Sequence, residues 1–356
     1  MAAPILPGRL GNADMTIGDD PRADPRMLEV MNQLGLAGPP EPLPIDRSSP
    51  MEAIHEVMAA TEEGYGMLFE ALIAPLPPVE GVTSRTEIIP GVDGNDLSLY
   101  IHEPAERSGP LPGVVHTHGG GMVLAAASDP NYVRWRDELA ATGMVVVGVE
   151  FRNGSGKLGP YPFPAGLNDC AAGAQWTIAN ADALGISHVI NSGESGGGNL
   201  AIATALQAKR DGWLGDIAGV YAQCPYISNL YHDPPAELPS LYENDGYFLS
   251  AAMMAPLAKA YDPTGESDTN PLAWPYHASA ADLEGLPPHV ISVNQLDPLR
   301  DEGLAYYRKL LDAGVSAVSR TVNGTCHGAD CIFRGAMPDV YAATLADINS
   351  FAHSVG

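Results

Sequence analysis

The chain has 356 residues, enough for one large domain with an appended lid or for two modest ones. Apolar residues make up 45% of it, and 39 glycines with 32 prolines point to a globular protein rich in turns. Acidic residues outnumber basic ones 43 to 18, a net charge of −25, and such a surface repels phosphate backbones and anionic lipid, which argues against nucleic-acid and membrane partners.

Residues 1–50 are rich in Pro, Gly and Asp, show little periodicity, and are expected to run at least in part over the surface. From Pro50 to Ala74 the pattern turns helical, with Met51, Ile54, Val57 and Met58 on one face. Thr83–Ile89 and Leu97–His102 read as two strands joined by a turn at Asp93-Gly94-Asn95. Val114–Thr117 is a short apolar run before a glycine cluster, and Asp129-Pro130 opens a helix that Gly143 ends. Met144–Phe151 has the unbroken β-branched character of a buried parallel strand. Helices are expected over Ala165–Ala181, Gly196–Lys209, Asp301–Ala313 and Pro338–Phe351, and strands over Val189–Gly193, residues 217–222 and 289–294, and Val315–Val322. This alternation describes an α/β protein with a mostly parallel central sheet and helices on both faces. One segment breaks the rhythm: between the strand near Tyr221 and that at Val290 lies a long insertion with a Met-rich helical stretch, Ser250–Tyr261, of the kind that serves as a lid. The division expected is 1–80 as an N-terminal cap segment, 81–224 as the first part of the core, 225–275 as a cap insertion and 276–356 as the rest of the core.

No stretch approaches the roughly 18 apolar residues that a membrane span requires. Met1 to Pro40 lack a basic segment followed by an apolar one, so the expected location is cytoplasmic. With nothing marking secretion, Cys170, Cys224, Cys326 and Cys331 are expected as free thiols, a Cys326–Cys331 bridge being the alternative. Their spacing matches no common zinc pattern, and neither a metal nor an organic cofactor is implied.

The sharpest chemical signal is Gly193-Glu194-Ser195-Gly196-Gly197. A strand-like run precedes it and a helical run follows, the strand–turn–helix context of a nucleophile elbow, in which glycines two before and two after the serine permit a tight turn. The bland alternative is a Gly-rich turn with a solvent-facing serine. His118-Gly119-Gly120-Gly121-Met122 tips the balance, because consecutive glycines after a strand present unobstructed N–H groups that can hold an oxyanion beside such an elbow; alone it would read as a flexible loop or an anion nest. Asp297 follows a buried strand at the end where active-site residues of open α/β sheets collect, whereas Asp301 is better placed at a helix N-terminus. His327 lies in a loop after the last strand, and chain order selects it over the other nine histidines. The order Ser195, Asp297, His327 fits a nucleophile, an orienting acid and a general base.

These motifs together resemble the hormone-sensitive-lipase-like esterases with an HGGG motif, closest to their brefeldin-A-esterase-like branch. The likeness covers about residues 80–356 and rests on HTHGGGM (116–122), YPFPAGLNDC (161–170), GESGGGN (193–199), DPLRDEG (297–303) and CHG (326–328). It implies the α/β-hydrolase fold with a helical cap, hydrolysis of carboxylic esters, oxyanion donors at the N–H groups of Gly120, Gly121 and Gly196, Asp169 buried near Arg152, and a homodimer. The departures are GES for the usual GDS at the elbow, Ala329 where an aromatic often follows the catalytic His-Gly, and a longer loop, FRNGSGKLGPYPFP, in place of YRLAPEHPFP. Expected substrates are small, short-acyl esters, with Met122, Tyr247, Met253 and Met254 as candidate pocket residues, although methionine at helical spacing is more often plain core. A binding-only receptor of this fold would typically lack the histidine. A peptidase would generally lack HGGG, an interfacial lipase would suit this acidic surface poorly, and a dehalogenase or epoxide hydrolase would need Asp in place of Ser195.

Overall fold

The computed structural model describes residues 6–356, and eight strands in one sheet organise them. They are β1 (Val82–Pro90), β2 (Asp96–Pro104), β3 (Leu111–Thr117), β4 (Val145–Val149), β5 (Ile186–Glu194), β6 (Ile217–Gln223), β7 (His289–Asn294) and β8 (Ala317–Val322). Their spatial order is β1-β2-β4-β3-β5-β6-β7-β8. β1 and β2 form an antiparallel hairpin at one edge, β2 runs antiparallel to β4, and every other pairing is parallel.

The central strands are buried on both faces, which is why β4 is a continuous Val-rich run instead of an alternating one. Period two still decides which face each side chain meets. Val114, Val146 and Ile190 pack with Trp135, Leu139, Tyr341 and Ile348 of helices Pro130–Ala141 and Pro338–Ser354. Their neighbours Val115, Val145, Val147 and Val189 pack on the other side with Leu167, Cys170 and Leu200 of helices Ala165–Ala179 and Gly196–Asp211. Asp169 is buried there and pairs with Arg152 at 2.8 Å. All four cysteines are buried free thiols.

Two pieces of chain lie over the C-terminal ends of the strands. Helix Met51–Ile73 meets helix Ala251–Tyr261, where the Tyr65 hydroxyl sits 3.6 Å from Met253 Sδ. Both helices are legible in the sequence; the order that precedes the first is not. Helix Pro25–Gln33 buries Met27 and Met31 against Ile17, Tyr247, Leu296, Cys326 and Phe333. Asp24 caps it, and the Asp24 N–H donates to Gly324 O at 2.8 Å. Two methionines one turn apart are too sparse a pattern to reveal a helix, but the Asp-Pro start is a legible signal. No helix among the described residues is long and apolar enough to cross a membrane.

Candidate active site

Ser195 occupies the one-residue turn between β5 and helix Gly196–Asp211, at φ 55° and ψ −118°. A non-glycine residue in this region carries strain of order 1–3 kcal/mol and persists only where its surroundings fix it. Here Ser195 N–H donates to Gln223 O (2.9 Å), and Ser195 O accepts from the N–H groups of Tyr226 (3.0 Å) and Asn199 (3.1 Å). The glycine at 197 answers to a close approach: a Cβ there would collide with the Thr117 carbonyl. The turn is thereby wedged against the end of β3.

The glycine loop follows β3 and closes onto this elbow. A Cβ on Gly196 would lie 2.5 Å from Met122 N and 2.6 Å from Gly121 N, so the start of the helix and the loop are in direct backbone apposition. Among the described residues, the N–H groups of Gly120, Gly121 and Gly196 have no acceptor. Glu194 anchors the near end of the loop, its carboxylate accepting from Gly119 N–H (3.1 Å) and lying 3.0 Å from His116 Nε2. Burial pushes the Glu194 carboxyl up, yet the charge and hydrogen bond of His116, together with the Gly119 N–H, prevail and hold it below the usual carboxylate range. The Glu194 carboxylate thus links β3 to the loop.

Asp297 sits in the turn after β7, fully buried, with Oδ2 2.8 Å from His327 Nδ1 and Oδ1 accepting from Leu299 N–H at 2.8 Å. His327 lies in the loop after β8. Asn294 ties the two loops together, its side chain bonding Thr325 Oγ1 (2.8 Å), Asp330 (2.9 Å) and the Gly328 N–H (3.1 Å). Asn244 Nδ2 donates to Gln295 O (3.2 Å) and Asp297 O (3.1 Å), gripping the acid's backbone from the inserted segment. Asp301, the competing acid, accepts from the Ser240 N–H at 2.7 Å and pairs with Arg300 at 2.9 Å, well occupied at the start of its helix. Because Nδ1 of His327 is engaged by Asp297, Nε2 is the nitrogen left to exchange a proton.

Ser195, His327, Gly120 and Gly121 line one cleft of about 1200 Å³ including its mouth, together with Met253 and Met254. Two candidate pocket residues lie elsewhere, and the structure corrects both. Met122 is buried at φ 61° within the loop, and Tyr247 is buried with its hydroxyl 3.0 Å from Asp20, facing the N-terminal segment. Residues the sequence reading passed over supply much of the wall: Glu62, Tyr65 and Phe69 from helix Met51–Ile73, Phe248 and Leu257 from the insertion, and Trp135 and Arg334 from the core. The spacing of 62, 65 and 69 is that of a helix face, so this second face was readable; its destination was not. Among the described residues no group of three or more His, Cys, Asp or Glu side chains could hold a metal ion.

A family model described as the alpha/beta hydrolase fold matches residues 114–330. The chain belongs to the α/β-hydrolase family. A solved structure described as brefeldin A esterase, a bacterial homologue of human hormone-sensitive lipase, is 45% identical over 98% of both chains, with a TM-score of 0.95. Esterase Est22 is 39% identical, covering 95% of this chain and 99% of its own, with a TM-score of 0.84. The arylesterase of Saccharolobus solfataricus is 31% identical over 260 residues, 72% of this chain and 80% of that protein. This member of the family is thus a carboxylesterase related to hormone-sensitive lipase, and the α/β fold with a mostly parallel sheet expected from its sequence is the fold it has.

Proposed function

We propose that this carboxylesterase hydrolyses small, short-acyl esters through a Ser195–His327–Asp297 triad and an acyl-enzyme. The observation that carries the reading is the buried 2.8 Å contact between Asp297 and His327, whose ring lines the same cleft as a serine held at a strained elbow. Ser195 Oγ attacks the ester carbonyl carbon as its proton passes to His327 Nε2, and the carbonyl electron pair becomes an oxyanion facing the N–H groups of Gly120, Gly121 and Gly196. Removing one such donor from a serine hydrolase raises the barrier by about 3 kcal/mol. Collapse breaks the bond to the alkoxy oxygen, which takes the proton from His327 and leaves as the alcohol. Water then adds to the acyl-enzyme, giving its proton to His327, and the acid departs as Ser195 regains a hydrogen. Asp297 orients the imidazole and stabilises its charged form without itself taking the proton.

The test is hydrolysis of p-nitrophenyl esters from acetate to palmitate by the wild type and Ser195→Ala, with brefeldin A, for which the 45%-identical neighbour is named, as a further probe. Activity peaking at short chains and lost in the variant is expected. Activity surviving the substitution refutes Ser195 as nucleophile, and a maximum at palmitate refutes the short-acyl preference.

A further inference from the structure

The glycine loop continues past its glycines as a tightly wound turn. The backbone is left-handed at Gly120 (φ 111°), Gly121 (66°), Met122 (61°) and Ala125 (73°), and the last two carry side chains. L-residues populate this region sparsely, so a turn of this shape exists only where its surroundings over-determine it. Part of the determination is internal, since Gly120 O accepts from the N–H groups of Val123 (3.1 Å) and Leu124 (2.9 Å). Part comes from the loop after β4. Gly154 N–H donates to Met122 O (2.9 Å), Ser155 N–H to Val123 O (3.1 Å), and Asn153 Nδ2 to Ala125 O (2.6 Å).

The rest comes from the overlying helix Met51–Ile73. One carboxylate oxygen of Glu62 accepts the Ala125 N–H at 2.7 Å, and the other accepts the Lys157 N–H at 2.8 Å. A single side chain thus grips both the turn and the loop that backs it. Two turns earlier in the helix, His55 Nδ1 lies 2.7 Å from Ser155 Oγ on the same loop. The cleft reaches Glu62, and one and two turns further on the same helix lends Tyr65 and Phe69 to the cleft wall.

We propose that Glu62 is a positioning residue for the oxyanion loop, coupling the helix that covers the cleft to the aim of the Gly120 and Gly121 N–H groups. The proposal rests on the reading of those groups as oxyanion donors. Two backbone N–H donors from different loops need two acceptors at a fixed separation, and a carboxylate supplies both with charge-assisted bonds. An amide would accept from one and turn its own NH₂ against the other. Movement of the helix therefore moves Ala125 and, through the turn, the donors. Donor aim matters most where negative charge develops, so its loss falls on the transition state and leaves substrate binding largely intact.

The experiment compares Glu62→Ala, Glu62→Gln and the exposed neighbour Glu63→Ala with wild type on p-nitrophenyl butyrate. Rates are expressed per site titrated with an organophosphate, which removes misfolded molecules from the count. Glu62→Ala is expected to lower kcat by about tenfold to a hundredfold with KM held within about threefold, Glu62→Gln to fall between, and Glu63→Ala to match wild type. A trifluoromethyl ketone, whose adduct places an oxyanion at the donors, should lose affinity in the same order, while butanol inhibition stays constant. A rise in KM at unchanged kcat per titrated site, or equal losses of ketone and butanol affinity, overturns the proposal. If Ser195→Ala is inert and Glu62→Ala is fully active, the clamp alone falls; if Ser195→Ala is active, the reading beneath it falls as well.

Discussion

Replacing Asp297 by Asn tests the site at its fully buried acid. The two side chains have nearly the same volume, so the change is one of hydrogen-bonding pattern. The carboxylate accepts on both oxygens, from Leu299 N–H and from the ring N–H of His327, each at 2.8 Å. An amide accepts on one atom and donates from the other. If its NH₂ faces Leu299, two donors oppose each other without solvent; if it faces His327, Nδ1 must become the acceptor and the ring proton moves to Nε2, the nitrogen needed to take the serine proton. The second arrangement avoids the buried clash and is expected to prevail. In a Ser-His-Asp enzyme the wrong tautomer lowers kcat by about 10⁴, equivalent to about 5 kcal/mol of barrier. The accompanying loss of stability should be only about 1 kcal/mol, the difference between hydrogen bonds to a charged and to a neutral acceptor. The assay is single-turnover acylation with p-nitrophenyl acetate alongside a thermal melt. A variant within tenfold of wild type at pH 7, in a folded protein, would refute the assignment of Asp297 as the orienting acid.

Two further outcomes follow from neighbouring contacts. Asn244→Ala frees the backbone carbonyls of Gln295 and Asp297 and should reduce kcat about tenfold, with little change in KM for p-nitrophenyl acetate, since the acid moves and the cleft wall does not; an increase confined to KM contradicts this. His289 governs a pH effect on stability. Burial pushes its imidazole down to about 4 against a Pro287 carbonyl contact that pulls the other way. The folded state keeps the ring neutral while the unfolded chain protonates near 6.5, so stability is full above pH 6.5 and is lost as pH falls toward 4, by up to about 3 kcal/mol from this group. His289→Leu should flatten that part of the acid limb in melts between pH 7 and pH 4, whatever it does to stability at pH 7; an unchanged slope assigns the acid sensitivity elsewhere.

What the sequence by itself determined is local or ordered along the chain. The strand–turn–helix around Ser195, the triple glycine after β3, and the placement of Asp297 and His327 after their strands are short-range patterns, because backbone sterics and strand direction constrain each within a few residues. The Val-rich run of β4 likewise announced burial on both faces. Tertiary structure decided the contacts between segments distant in sequence. Met122 and Tyr247 looked like cleft residues by position and composition, yet the left-handed turn buries the first and Asp20 draws the second toward the N-terminal segment. The packing of Met27 against Cys326, the grip of Asn244 on Asp297 and that of Glu62 on Ala125 join residues with no sequence relation. A side chain's periodicity reveals which face of its own helix it occupies; the surface that face meets is fixed only when the whole chain packs.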